Sequence, residues 1–572
     1  MRYNDMKSIL KSNFFFIPFL IVIFGILIYS NSLHGEFIYD DHLNITNNPL
    51  IKHPLSAQYF WKLLSTRFLP YYTLSLNYFF HGEEPFGYHI VNLILHLLNA
   101  GLVLVLTRQI LKAPRLQNQQ NQDCIRYIPV FTALLFLIHP IQTQAVSWIV
   151  QRITLLCATF YLYSLTLYFH FKFTRKRPVL FLSILSAVAA MLSKENSFTL
   201  PLIILFIEYF LFQARVKKIF KSAAPFLLCL IIIPLLLLLS TGSGRMLADI
   251  TRESASIPRL SYALTQSRVL LTYLRLIILP VNQSAYYDYP LSYWLDAQAL
   301  LAMIVLAGLF IAAFLTRKKM PLVFSGAVWF LVTLSVESSL IPISDVIQEH
   351  RLYLPVIGIL WIISYVLSVF AIKNRKKALV CFSAIILIGG TLSYQRNNVW
   401  KNEGFFWTDI QKNFPHSAKP NLGLGLFYLR EGNDEKAVKF LSKALRADFY
   451  EAHAHYNLSY IYQKRNDLDQ AMKEAFLACQ FEPDNVLYAR NLGYVFAQIR
   501  NYREAVNYYN KALSLEFSPN LLNDYIQLLI LYRQEIRDPA LLTPYLEPLR
   551  IHLNNDDYNT AMSYFGLDVQ DQ

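Results

Sequence analysis

Apolar stretches separated by short polar or basic breaks occupy most of the chain from residue 14 to residue 396. They fall near 14–33, 90–108, 127–147, 153–171, 178–193, 197–214, 222–241, 298–316, 321–341, 352–372 and 378–396. Each is roughly long enough to cross ~30 Å of hydrocarbon as a helix, so the pattern predicts about eleven spans. A further stretch, 260–279, carries Arg268 and Arg275 and reads as an amphipathic interfacial or re-entrant helix that does not cross. After residue 397 the apolar runs give way to a spacing of 34. It relates Gly425, Ser459 and Gly493; Ala437, Ala471 and Ala505; Ala444, Ala478 and Ala512; and Tyr428, Tyr462 and Phe496. Small residues at that period let two antiparallel helices approach closely, and aromatics fill the gaps between successive pairs.

The expected fold is therefore all-α, a polytopic membrane helical bundle followed by an α-solenoid. Its parts are a membrane domain over 1–397, a joining helix in 398–417, three repeats over 418–517 and degenerate capping helices over 518–572. The repeats resemble the tetratricopeptide repeat, with Pro483 at the usual terminal proline and Phe449 and Phe517 in its place elsewhere. One period earlier, Pro415 and Trp407 take the positions of a truncated leading repeat. That leaves few residues between membrane and array.

Composition agrees with a membrane protein. Of 572 residues, 55% are hydrophobic and only 16% charged, too apolar for an ordinary soluble chain of this length. The formal net charge of +14 is gathered into breaks such as KFTRKR, RVKKIFK, RKK and KNRKK, the pattern of positive charge retained in cytoplasmic loops. Nucleic-acid binding is not expected. A cytoplasmic N-terminus places these clusters, Arg2, Lys7, Lys11 and the 108–126 break on one side, and puts the repeats outside the cytoplasm. The first apolar run lacks a small-residue cleavage site and reads as a retained helix. The five cysteines are far apart and form no CxxC pattern.

With that topology the outward loops hold Asp40 and Asp41 in GEFIYDDHLNI, Arg67, His139, Arg152, Lys194, Glu195, Arg268, Glu349, His350 and Arg351. They lie at the ends of different spans, so a compact bundle gathers them at one mouth. A carboxylate beside an acceptor hydroxyl can serve as general base, and cations on neighbouring loops can bind the phosphate of a lipid-borne donor and stabilise charge as it leaves. Sugar transfer from a polyprenyl phosphate uses these parts and needs no Gly-rich nucleotide loop.

FIYDDHLNITNNPLI, LPYYTLSLNYFF, PFGYHIVNLILHLLNA, HPIQTQAVSWIVQR, LSKE and EHRLYLP, followed by the repeats, resemble the family of transmembrane and tetratricopeptide-repeat O-mannosyltransferases and their bacterial relatives. The resemblance covers nearly the whole chain. It implies a GT-C glycosyltransferase that takes sugar from a lipid phosphate donor and transfers it with inversion to a hydroxyl, on a protein or glycan acceptor. Carried over, its acidic motif falls on Asp40 and Asp41 as catalytic residues. Arg152, Lys194, Arg351 and Arg268 are the expected donor-phosphate ligands, with His139, Glu195, Glu349, His350 and Arg67 supporting. No metal ligands are assigned, and a divalent ion is left open. The expected setting is a bacterial cytoplasmic membrane with the site facing outward.

Plainer readings stand beside these. Asp40 and Asp41 could be a helix cap and a solvated loop acid; Lys194 and Glu195 an interfacial ion pair; Arg152 and Arg351 snorkelling anchors; His139 a structural residue. His42 has no assigned role. His89, Asn92, His96 and Asn99 form a polar stripe on one helix, read as interhelical hydrogen bonding. A flippase of lipid-linked glycan and a scaffold displaying the repeats are the rival functions. The repeats themselves could bind acceptor or a partner protein.

Overall fold

The computed structural model describes residues 17–54, 56, 67–117, 122–239, 257–294, 296–338, 342–536, 539–553 and 555–565. The basic residues Arg2, Lys7 and Lys11, and parts of the 14–33, 222–241 and 321–341 stretches and of the 108–126 break, lie outside the described residues. The chain is all-helical in its regular structure and divides into two compact units, Met1–Asp409 and Ile410–Gln572.

In the first unit, six helices among the described residues are long and apolar enough to cross a membrane. They are Pro85–Leu111, Ile149–Thr174, Val216–Leu236, Ala297–Lys318, Val356–Lys373 and Arg375–Trp400. A seventh span is formed if the bent pair Tyr127–Ile138 and Pro140–Ser147 crosses as one. These are the helices of a multi-pass membrane protein. Of the eleven expected spans, six or seven are seen among the described residues, where Ile17–Ser32, Arg177–Met191 and Pro321–Leu334 are shorter apolar helices. The 197–214 stretch is also broken, into Leu200–Phe206 and one wide π-turn, Ile207–Leu211. Arg259–Ile278 is one continuous helix outside the six, with Thr265, Gln266 and Ser267 on its buried side. Lys172, read as a loop charge, is instead buried against Glu208, whose carboxylate also accepts from Tyr168 Oη at 2.6 Å.

The polar stripe on Pro85–Leu111 joins helices as expected. His96 contacts Tyr353 Oη through Nδ1 (2.8 Å) and the Leu137 carbonyl through Nε2 (3.1 Å), while Asn99 donates to the Leu155 carbonyl and Tyr353 Oη. Hydrogen bonds of this kind satisfy polar groups that lipid cannot.

In the second unit, helices pair antiparallel: Ala418–Arg430 with Asp434–Ala447, Ala452–Lys464 with Leu468–Phe481, and Val486–Gln498 with Tyr502–Leu515. Gly425 and Gly493 sit where a Cβ would strike Leu441 and Tyr509 at 2.7 Å. The turn within each pair uses a left-handed residue, Gly432, Asn466 or Arg500, followed by an N-cap side chain, Asn433, Asp467 or Asn501. The 34-residue period thus extends to the turn chemistry.

One close approach in the first unit bears on function. A Cβ built on Gly326 would lie 2.3 Å from the Gly358 carbonyl, and the reciprocal contact is also 2.3 Å. This pair fixes the spacing of Pro321–Leu334 and Val356–Lys373, whose connection carries Glu337, His350 and Arg351. Gly326→Ala or Gly358→Ala should force the helices apart and cost about 1–3 kcal/mol, as overpacking does. Thermal unfolding in detergent measures it.

Candidate functional site

The acidic loop follows directly on the Ile17–Ser32 helix. Tyr39, the residue before the pair, has φ +50°, a left-handed conformation that is costly for a bulky side chain and is concentrated at functional sites. It is held there by Phe406 (ring centroids 5.5 Å, stacked) and Trp407 (5.5 Å, edge-on). Next door, His42 Nε2 lies 3.3 Å from Glu403 Oε1. After Asp41 the chain makes one π-turn, His42–Thr46, a bulge type common at functional sites.

The two aspartates differ sharply. Asp41 is fully buried, and its carboxylate accepts the Ile38 amide at 3.1 Å and the Val150 amide at 2.8 Å. Burial pushes its pKa up to about 7 against the lowering effect of those amides. It therefore pins the loop to the turn that opens the Arg152–Thr174 helix. Asp40 is half-buried, and its carbonyl accepts from the Asn44 side chain, which in turn accepts from Tyr71 Oη at 2.7 Å.

Around Asp40 the expected convergence is partly observed. Tyr71 feels the charges of Arg67, Glu195 and Asp40 together. Arg67 makes a two-pronged contact with Glu195 at 3.3 and 3.4 Å. Lys194 is buried and pairs with Glu337 at 2.9 Å, donating also to Thr154 Oγ1 at 3.2 Å. Burial, with the cations Lys194, Arg351 and Arg67 beside it, holds His350 well below the usual histidine range, so its ring is neutral. Arg351 donates to the carbonyls of Asp345 and Val346 (2.6 and 3.4 Å) and feels Tyr273, Glu337, Tyr262 and Asp345. Asp40, Arg67, Lys194, Glu195, His350 and Arg351 thus form one polar cluster from four separate segments.

Four expected residues are used elsewhere. Arg152 is fully buried and donates to Asn92 Oδ1, the Thr73 carbonyl and the Tyr88 carbonyl at 3.0, 3.1 and 3.0 Å. Its fork braces three segments and is not presented to a phosphate. Arg268 lies against Ser292 (2.9 Å) and Asp296 (3.5 Å), and no described contact joins it to the cluster. His139 donates from Nε2 to the Ile277 carbonyl and accepts the Ile141 amide at Nδ1, so both ring nitrogens serve a helix turn. Glu349 is fully buried under Gln283, the Ser284 amide and Tyr287 Oη, and burial raises its pKa.

Sequence reading missed Glu337, because it sits at the end of an apolar run, and Tyr71 and Asn44, which look like ordinary helix and loop residues. Their common signal is a polar side chain at the end of a span, and that is too frequent to single them out. Among the described residues no three His, Cys, Asp or Glu side chains gather as a metal site.

Tetratricopeptide repeat models match residues 418–450, 452–485 and 491–519. Over 94% of this chain and 65% of its own length, human "Protein O-mannosyl-transferase TMTC3" is 23% identical. The Caenorhabditis elegans "Protein O-mannosyl-transferase F38B6.6" is 24% identical over 75% of this chain and 62% of its length. The chain is a distant homologue of these protein O-mannosyl-transferases. It spans a little under two thirds of their length. Human "Protein O-mannosyl-transferase TMTC1" is 33% identical over 30% of this chain and 21% of its own. A solved structure of Pseudomonas aeruginosa pilF covers 32% of the chain at 19% identity and a TM-score of 0.23, too low to bear on the fold.

In such a transferase homologue the two aspartates should separate by experiment. Asp41→Asn keeps one acceptor oxygen for one of the two amides and sets its own NH2 against the other, at a cost of about 1–3 kcal/mol. Because the folded chain holds the Asp41 proton more tightly than the unfolded chain, its contribution to stability should fall as pH rises from the ordinary 3.8 to about 7. Thermal unfolding across that range should show the trend in wild type and not in Asp41→Asn.

Proposed function

We propose that the protein is a membrane glycosyltransferase that moves a hexose, mannose in the nearest reading, from a polyprenyl-phosphate donor to a hydroxyl acceptor on protein outside the cytoplasm. The observation that carries this is the gathering of one half-buried aspartate with three cations at the ends of apolar helices. The distant relationship to protein O-mannosyl-transferases supports the same chemistry.

In this reading Asp40 is the general base. Its carboxylate takes the proton of the acceptor hydroxyl as that oxygen attacks the anomeric carbon. The bond from the anomeric carbon to the phosphate oxygen breaks, the configuration inverts, and the polyprenyl phosphate leaves with its negative charge facing Lys194, Arg67 and Arg351. Asp41 acts through the backbone, holding the loop that presents Asp40. His350, being neutral, is suited to hydrogen bonding and not to charge compensation.

Residues 1–397 are then the transferase domain, 398–417 the join, 418–517 the repeats that bind acceptor or a partner, and 518–572 their cap. The groove in the repeats supports a binding role. It encloses about 500 Å³ and is lined by Tyr456, Tyr460, Tyr494, Arg490, Asn491 and Asp524, among others.

Mass spectrometry of envelope proteins and surface glycans from wild-type, deletion and Asp40→Asn strains tests the proposal. A hexose-sized mass should vanish in the deletion and fall at least about 100-fold in a normally inserted Asp40→Asn protein, the scale of a lost general base. Unchanged glycans in both strains would refute transfer.

A further inference from the structure

The Lys194–Glu337 pair is more than an anchor. Glu337 is 5% exposed, and only one of its carboxylate oxygens is used: Oε1 meets Lys194, whereas Oε2 is buried with no hydrogen-bond partner among the described residues. Leaving such an oxygen unpaired is expensive. The carboxylate's charge acts on Arg67 and Arg351 as well, so beside Glu195, which pairs with Arg67, it is a second anion among three cations, the environment a phosphate would take. Nearby, His350 Nδ1 is also buried and unpartnered among the described residues. Lys194, with three donor hydrogens, gives one to Glu337 and one to Thr154.

Resting on the transfer reading above, the two phosphates this cluster would meet differ in charge. The donor is a phosphodiester with one negative charge, but the departing polyprenyl monophosphate carries about −1.5 to −2 at neutral pH. Three cations alone would hold the product more tightly than the donor. We infer that Glu337 is a positioning carboxylate that competes with the departing phosphate for Lys194 and so clears the product from the site. The same carboxylate pairs with Lys194 where it is buried, as a charge near lipid requires.

The test is binding of a polyprenyl monophosphate to the purified full chain in detergent, with inorganic phosphate in a parallel arm. Glu337→Gln should bind the lipid phosphate about five-fold more tightly, the scale of one removed charge contact. Lys194→Met should bind it more weakly, and Glu337→Gln on that background should tighten binding by less than it does in wild type. In turnover assays Glu337→Gln should lower both KM and kcat and show stronger product inhibition. A merely structural carboxylate would not raise affinity. If wild type binds and Glu337→Gln binds equally or less well, the competition is wrong and the donor reading stands. If neither protein binds lipid phosphate, both fail. Tightening toward inorganic phosphate alone keeps the competition and removes the lipid donor. Where Glu337→Gln does not survive purification, Glu337→Asp, with a shorter reach to Lys194, should tighten binding in the same direction, and unchanged or weaker binding there overturns the proposal.

Discussion

A charge set where lipid begins must be paired or lose its ionisation, and the first unit is organised around that constraint. Arg152, with no carboxylate partner among its described contacts, spreads its charge over Asn92 and two carbonyls. Asp41 is met by two amides. Lys194 takes Glu337. Each solution ties together segments distant in sequence, so the polar atoms that make the site also hold its walls in place.

The acidic loop shows how such ties are turned toward chemistry. Tyr39 is kept in a left-handed conformation by the rings of Phe406 and Trp407, while Asp41 draws the following turn inward. Asp40, between them, is left half-exposed. Two adjacent carboxylates thereby acquire different environments from the same short loop. One is buried and bonded to backbone; the other is only half-buried. Environment, not residue type, separates their roles.

The repeats obey a different logic. Their contacts lie within helix pairs and between neighbouring pairs, so every requirement recurs with the same period. Small residues at 425, 459 and 493, left-handed turns at 432, 466 and 500 and caps at 433, 467 and 501 are all local demands. Local demands leave a local trace, and for that reason this unit could be read from the chain almost helix by helix.

The sequence by itself determined the helical class, the membrane character, the repeats and the set of loops from which a polar cluster is built. It did so through hydrophobic length, periodicity and the placement of charges at the ends of apolar runs. It did not determine how many runs form full-length helices, since breaks such as Ile207–Leu211 depend on packing. Nor could it choose partners among the charges. Lys194 and Glu195 are neighbours in the chain, yet one pairs with Glu337 and the other with Arg67. Arg152 reads like a phosphate ligand and is a brace. Ion pairs and hydrogen bonds follow distance through space, and only the assembled helices set that distance.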